Sequence, residues 1–483
     1  MSDNFKKTEN NIISKKELSP VSIVIFGVAG DLARRKLIPA LWHLFISGNL
    51  PEKFNIIGFA RRDWSDEDFK KYAEDILKEK TGELSLEKIK DFTANFLYIS
   101  GDFGKKESYK TLAEKLLEID KNTGSCRAKL FHLSVPPEMY ETIFEQMSKG
   151  GLSDICAGSG GWTRILVEKP FGNDWYTAEA LDQKMGSLFK EDQIFRVDHY
   201  MGKESVQNIL AFRFSNSLLE HLWSGQFIEK VNIRLWEKIG IEGRGAFYDK
   251  VGALRDVGQN HILQMLAFIA MEDPIVFEAE AIRKSRAKVL SELRLISKEE
   301  ISKLAVRGQY EGYLEEQSVK PDSKTETYFR VEARIENKRW AGVPFFLESG
   351  KGLGKSEVEI EIIFRKKDSC LCPPDAGETV SKNKIIFRIQ PNEGIDIYFW
   401  AKQPGFEMKL EPKTLSFSYK KNEEAKNAPD AYERVIYDCI AGDQTLFAGT
   451  EEVLASWKFI TPIIENWNDL PIIKYPKGWI PKE

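Results

Sequence analysis

Asp198, His199, Tyr200 and Lys203 stand within one short segment, Arg196-Val197-Asp198-His199-Tyr200-Met201-Gly202-Lys203-Glu204. A carboxylate beside an imidazole is the pairing from which a general base is built: the acid fixes the ring, and the free ring nitrogen takes the proton. A lysine one step from a histidine supplies the donors that an anionic ligand such as a phosphate needs. A solvated helix face could carry the same residue types. Here they directly follow Ile194-Phe195-Arg196-Val197, whose alternation predicts a strand. Open α/β sheets gather ligands and reactive groups at the carboxyl ends of their strands.

The chain has five histidines, at 43, 132, 199, 221 and 261. His261 falls on the stripe Leu254, Val257, Gly258, His261, Met265, which faces the core if 253–271 is a helix. On that stripe alone it reads as a core histidine satisfied by a backbone carbonyl; the neighbouring Asp256 opens a functional reading.

Strand-like and helix-like patterns alternate from Val21 to Val197. Strands are predicted at 21–26, 54–59, 94–100, 128–135, 163–167 and 194–197, with helices near 32–47, 65–80, 106–119, 138–149 and 174–190. This alternation predicts a doubly wound parallel sheet of the Rossmann type. The first strand ends in Gly27-Val28-Ala29-Gly30-Asp31-Leu32. Gly27 suits a tight turn, and Gly30 lets backbone approach a pyrophosphate at the helix N-terminus. Pro39 lies inside the following helix and is expected to kink it. After the second strand comes Arg61-Arg62, with Asp63 only behind them. An acid at this place would suit the ribose hydroxyl of NAD; arginine suits the 2′-phosphate of NADP. NADP is therefore the expected cofactor and NAD the second choice.

Past residue 198 the pattern changes to successive strands near 230–237, 326–336, 343–348, 357–364, 384–390, 394–400 and 413–419. Helical patterns at 253–271, 275–294, 428–445 and 451–467 surround them. This predicts a larger α+β domain with a mostly antiparallel sheet. The expected organisation is a flexible tail over 1–19, a nucleotide-binding domain over 20–197 and a substrate-binding and dimerisation domain over 198–483.

Composition narrows the class. The 483 residues exceed one ordinary core. The 70 Lys plus Arg nearly balance 74 Asp plus Glu, which argues against a nucleic-acid or membrane-surface partner. No apolar run approaches a membrane span, and Met1 to Pro20 lacks a signal peptide's apolar stretch, so a cytoplasmic protein is expected. Cys370-Leu371-Cys372 is the one close cysteine spacing, and nothing near it completes a zinc site. No metal is expected. The stretch 365–383 reads as a surface loop.

Seven blocks occur in order: GVAGDLARRKLIPAL (27–41), GFAR (58–61), EKPFG (168–172), RVDHYMGKE (196–204), EGRGAFYDKVGALRDVGQNH (242–261), IQPNEGI (389–395) and DAYERVIYD (430–438). Together they resemble the glucose-6-phosphate dehydrogenase family, over nearly the whole chain from about 20 to 467. The resemblance implies oxidation of glucose 6-phosphate at C1 to 6-phosphogluconolactone, with hydride passed to NADP, as the first step of the oxidative pentose phosphate pathway. It implies His261 as catalytic base and Asp198 as the carboxylate that orients it. It implies His199, Tyr200 and Lys203 at the substrate phosphate, Glu237 and Asp256 at sugar hydroxyls, Lys351 and Gln390 as further substrate contacts, and Lys169 between substrate and nicotinamide. Gly27, Val28, Ala29, Gly30, Asp31, Leu32 and Arg61 are implied at the cofactor, and a homodimer or homotetramer built on the large sheet. Three places depart from the family pattern: Ala29 where Ser or Thr is common, Glu348 in place of an arginine, and the altered segment 352–357.

Two other classes of function fit parts of the chain. Ser349-Gly350-Lys351-Gly352-Leu353-Gly354-Lys355-Ser356 nearly spells a nucleotide-hydrolysing P-loop, but Glu357–Phe364 alternates like a strand where a P-loop opens a helix. A Rossmann sugar oxidoreductase of another family could share the Glu-Lys-Pro lysine, but not RVDHYMGKE.

Overall fold

The computed structural model describes residues 18–81, 86–124, 126–153, 161–366, 382–419, 428–467 and 470–482. Most of the expected tail, most of the loop expected at 365–383, and Cys156, Cys370 and Cys372 lie outside the described residues. The chain forms two compact units and passes between them several times. One comprises Met1–Lys169, Gln183–Val197 and Tyr432–Gln444; the other comprises Pro170–Asp182, Asp198–Ala431 and Thr445–Glu483.

The first unit is built on six parallel strands: β1 (Val21–Phe26), β2 (Phe54–Ala60), β3 (Phe96–Ser100), β4 (Ala128–Leu133), β5 (Thr163–Glu168) and β6 (Ile194–Val197). Their order is β6-β5-β4-β1-β2-β3. Every residue of β1 is buried, as a central strand with both faces covered requires. From β1 the chain winds outward through β2 and β3, and then from β4 through β5 and β6 in the opposite direction. The switch point lies between β1 and β4, so the turn after β1 opens on the crevice where such sheets bind ligands.

Gly27 makes that turn at φ +77°, and a Cβ there would stand 2.3 Å from the Ser134 carbonyl oxygen. Only glycine allows both. The helical stretch that follows is not uniform. Ala33–Leu37 winds as a π-helix before the α-helix Ile38–Ile46, which has Pro39 in its first turn. The expected disturbance at Pro39 thus takes the form of a wide turn just ahead of the residue that cannot donate an N–H.

The second unit carries a nine-stranded sheet among the described residues. Its members are β7 (Ile228–Trp236), β8 (Ala305–Tyr310), β9 (Tyr328–Arg334), β10 (Pro344–Gly350), β11 (Glu357–Phe364), β12 (Lys384–Gln390), β13 (Gly394–Lys402), β14 (Leu410–Ser418) and a last strand, Ile472–Tyr475. The order is β14-β13-β12-β11-β7-β10-β9-β8 followed by Ile472–Tyr475. Pairing is antiparallel except for β7 with β10 and for the last strand with β8. The segment after Lys351 therefore enters a strand, β11, and the P-loop reading falls. The helix expected over 253–271 begins as a π-helix, Leu254–Ile262, and continues as the α-helix Leu263–Ala270, every residue of which is buried.

Candidate active site

Asp198 follows β6, and His261 lies near the end of the π-helix. The two are 63 residues apart in sequence, and each is 2% exposed. The imidazole Nδ1 lies 2.5 Å from Asp198 Oδ1, which also accepts the Tyr200 backbone N–H at 3.0 Å. Burial alone would raise the Asp198 carboxyl. The facing His261, its hydrogen bond, His199 and the Tyr200 N–H outweigh burial and hold the carboxyl below the usual carboxylate range. A carboxylate can only accept, so Nδ1 carries a proton and donates it, and in the neutral form of the ring Nε2 is the basic nitrogen. From the other side Asn260 Oδ1 accepts the His261 backbone N–H at 2.7 Å, while Asn260 Nδ2 donates to the Asp256 carbonyl at 3.0 Å.

Aromatic rings close the pair in. Tyr200 stacks on His261 with centroids 4.2 Å apart, and His199 meets the same imidazole edge-on at 4.9 Å. Burial, followed by the charges of Glu237, Asp198 and Asp256, pushes the Tyr200 phenol well above its ordinary value. Lys203 Nζ lies 5.0 Å from the centre of the Tyr200 ring, at the residue preceding the helix Glu204–Phe214. That helix N-terminus adds to the attraction for an anion. One ligand-type atom from each of Asp198, His199 and His261 lies within 4.8 Å of the others.

A second group forms where β7 and β10 end. Their parallel register sets Trp236 beside Gly350, which puts Glu237 and Lys351 side by side at the carboxyl ends of both strands. The Glu237 N–H donates to the Gly350 carbonyl at 2.8 Å. Lys351 is buried; its ammonium donates to Glu237 Oε2 and lies 3.7 Å from Asp256 Oδ2. A cation held between two carboxylates can give hydrogen bonds to sugar oxygens while the acids accept from sugar hydroxyls.

Of the residues singled out by sequence, the second unit thus assembles Asp198, His199, Tyr200, Lys203 and His261, and it joins Glu237, Asp256 and Lys351. Gln390 stands exposed at the end of β12, before a cis bond to Pro391, with no hydrogen bond to either group. Lys169 follows β5 in the first unit. The other three histidines have other surroundings: His43 faces Glu433 at 2.8 Å, buried His132 faces Glu168 at 3.1 Å, and His221 is exposed. Sequence reasoning did not single out Asn260, although it stands in the quoted block ahead of His261.

In the first unit the Gly27–Leu32 turn presents backbone to the crevice, and Asp31 pairs with Arg35 at 2.8 Å. Arg62 lies over the Trp64 ring at 4.9 Å, whereas Arg61 is exposed at the end of β2 and makes no ion pair with a described residue. A tight glycine turn at the switch point with a guanidinium beyond β2 is the donor set a dinucleotide needs. Of the departures from the family pattern, Glu348 accepts from the Tyr328 hydroxyl at 2.8 Å, and Lys355 pairs with Glu357 at 2.6 Å.

Comparison with known proteins agrees along the whole length. Residues 24–208 match the family model described as glucose-6-phosphate dehydrogenase, NAD binding domain, and residues 210–483 match its C-terminal domain. The glucose-6-phosphate 1-dehydrogenase of Borreliella burgdorferi is 41% identical over 477 residues, covering 96% of each chain. A solved glucose-6-phosphate dehydrogenase in complex with its substrate glucose-6-phosphate superposes with a TM-score of 0.88 at 34% identity, covering 97% of this chain and 96% of the other. The glucose-6-phosphate 1-dehydrogenase of Mycobacterium avium gives a TM-score of 0.81 at 32% identity, covering 95% of each chain. With both family domains matched end to end and a nicotinamide-dinucleotide fold in the first, the chain belongs to the glucose-6-phosphate dehydrogenase family of oxidoreductases.

Proposed function

We propose that this chain oxidises glucose 6-phosphate at C1 to 6-phosphogluconolactone with His261 as general base, NADP being the preferred cofactor. The observation that carries the reading is the Nδ1-to-Asp198 hydrogen bond, which makes Nε2 the nitrogen that takes a proton when the ring is neutral. Nε2 takes the C1 hydroxyl proton as the C1–H bond gives up its hydride, and the C1–O bond becomes the lactone carbonyl. When bound, the nicotinamide ring accepts that hydride. Asp198 stays ionised and compensates the imidazolium that forms. His199 and Lys203 hold the phosphate, Glu237, Asp256 and Lys351 hold the sugar hydroxyls, and Lys169 serves both substrate and cofactor. Gln390 is a weaker contact. Arg61 meets the 2′-phosphate that distinguishes NADP from NAD.

For assembly the reading is a homodimer or homotetramer joined through the second unit's sheet. Its outermost strand, β14, exposes Leu415 and Phe417, which help line an apolar groove. The cytoplasm is the proposed compartment, in keeping with the free thiol of Cys439.

The test is His261→Asn. Turnover should fall about 10²- to 10⁴-fold while glucose 6-phosphate still binds. Near-normal turnover would remove His261 from the role of base.

A further inference from the structure

The second unit contains another polar cavity, of about 230 Å³, whose lining includes Lys250, Arg255, Arg307, Lys324, Glu326 and Trp467. Four cations there face one carboxylate. Neither guanidinium lies within ion-pair distance of a carboxylate among the described residues, although the Glu326 charge reaches both and the Asp174 charge reaches Arg255. Arg255 donates Nε to the Asn173 carbonyl at 3.0 Å and Nη1 to the Val251 carbonyl at 3.4 Å. Arg307, 2% exposed, donates Nε and Nη2 to the Leu470 carbonyl at 3.0 and 2.6 Å, and Nη1 to the Lys324 carbonyl at 3.5 Å. Burial pulls the pKa of both groups down. With one carboxylate set against four cations in the lining, the positive charge there is incompletely compensated, and an oxyanion is the group that compensates it. Lys250 and Lys324 stand exposed.

The cavity also shares backbone with the substrate cluster. Glu326 Oε1 accepts the Leu254 N–H at 3.0 Å, and the Glu326 carbonyl accepts the Ala253 N–H at 3.1 Å. Gly252, at φ +74°, has no room for a side chain: a Cβ would stand 2.4 Å from Glu326 Oε1. Glu326 therefore fixes the start of the π-helix that carries Arg255, Asp256 and His261.

We propose that this cavity is a second oxyanion site, taking a phosphate-class anion between Arg255, Arg307, Lys250 and Lys324, and that its occupancy adjusts the segment carrying Asp256 and His261. Inorganic phosphate is the probe, and the intact protein the sample, with ionic strength held constant by chloride. Lys203→Ala removes a main contact of the substrate-phosphate site. Calorimetric titration of that variant should still show phosphate binding, weakened about tenfold or more when Lys250→Ala and Lys324→Ala are added. Phosphate should also shift kcat at saturating glucose 6-phosphate in the parent protein and leave it unmoved in the Lys250→Ala/Lys324→Ala variant. Binding abolished by Lys203→Ala alone, or indifferent to the two lysines, overturns the site. A kcat that phosphate does not move overturns the coupling. Activity of the Lys250→Ala/Lys324→Ala variant without phosphate reports separately on the catalytic reading.

Discussion

Tyr200 covers the ring of His261, with centroids 4.2 Å apart and planes 29° from parallel, while its backbone N–H holds the carboxylate that orients the same ring. The flat face, not the hydroxyl, makes this contact. Tyr200→Phe should therefore keep kcat within about threefold, whereas Tyr200→Ala should lower it about tenfold by letting the imidazole tilt. Steady-state kinetics on both variants check this; equal losses would assign the work to the hydroxyl instead.

Asp198→Asn keeps the shape of the carboxylate but not its charge. An amide turned to donate to Nδ1 would favour the tautomer with its proton on Nε2, so kcat should drop by about 10²- to 10⁴-fold. The pH dependence has a definite sign. Asp198 is held below its ordinary value, so the stability gained from its ionised form is present above that value, near pH 4, and is lost as pH falls through the lower folded one. The parent should thus lose more stability on acidification below about pH 4 than Asp198→Asn does. Thermal melting of both proteins across that range is the measurement, and parallel curves would contradict it.

Lys203 lies in the segment read as the phosphate holder. Lys203→Ala should raise KM for glucose 6-phosphate about tenfold to a hundredfold with little change in kcat, and leave any turnover of free glucose nearly untouched. Comparing the two sugars decides it, because a general defect would lower both.

Arg61 is the uncommitted guanidinium at the end of β2. Arg61→Ala should cut the ratio of kcat/KM for NADP over NAD by about tenfold to a hundredfold, the scale of one charge-assisted contact. An unchanged ratio would reduce Arg61 to a contact common to both cofactors.

Arg286 and Glu452 form a buried, two-pronged ion pair with contacts of 2.9 and 3.1 Å, and Arg286 also donates to the Thr445 and Phe447 carbonyls at 2.8 Å. Both residues are fully buried. Glu452→Ala strands the guanidinium and should cost about 3–5 kcal/mol of stability. Denaturant unfolding measures it; a loss under about 1 kcal/mol would mean that water reaches the arginine.

Sequence patterns and tertiary pairing contributed differently to the site. The continuous apolar run of β1 and the alternation of strands with helices carried the parallel sheet, because period and burial are local properties. The Asp198-His199-Tyr200 run was equally visible. Its partner was not: no local rule links Asp198 to a residue 63 positions on, and only the family resemblance joined it to His261. The approach of Glu237 to Lys351 depends on a parallel pairing of β7 with β10 inside a mostly antiparallel sheet, which strand patterns do not reveal. Glu326 was legible only as the first position of an expected strand. The structure instead turns its carboxylate onto the Leu254 N–H, a tertiary contact with no signature in spacing.

The π-helix Leu254–Ile262 has a further consequence. Such a turn holds more residues than an α-turn over the same backbone rise. A one-residue deletion between Asp256 and His261 that the turn failed to absorb by tightening would swing everything beyond by about 100° around the axis. Such a deletion would leave every reactive side chain in the chain and still point the imidazole away from Asp198. Here the spacing of the chain, counted in single residues, is itself a part of the catalyst.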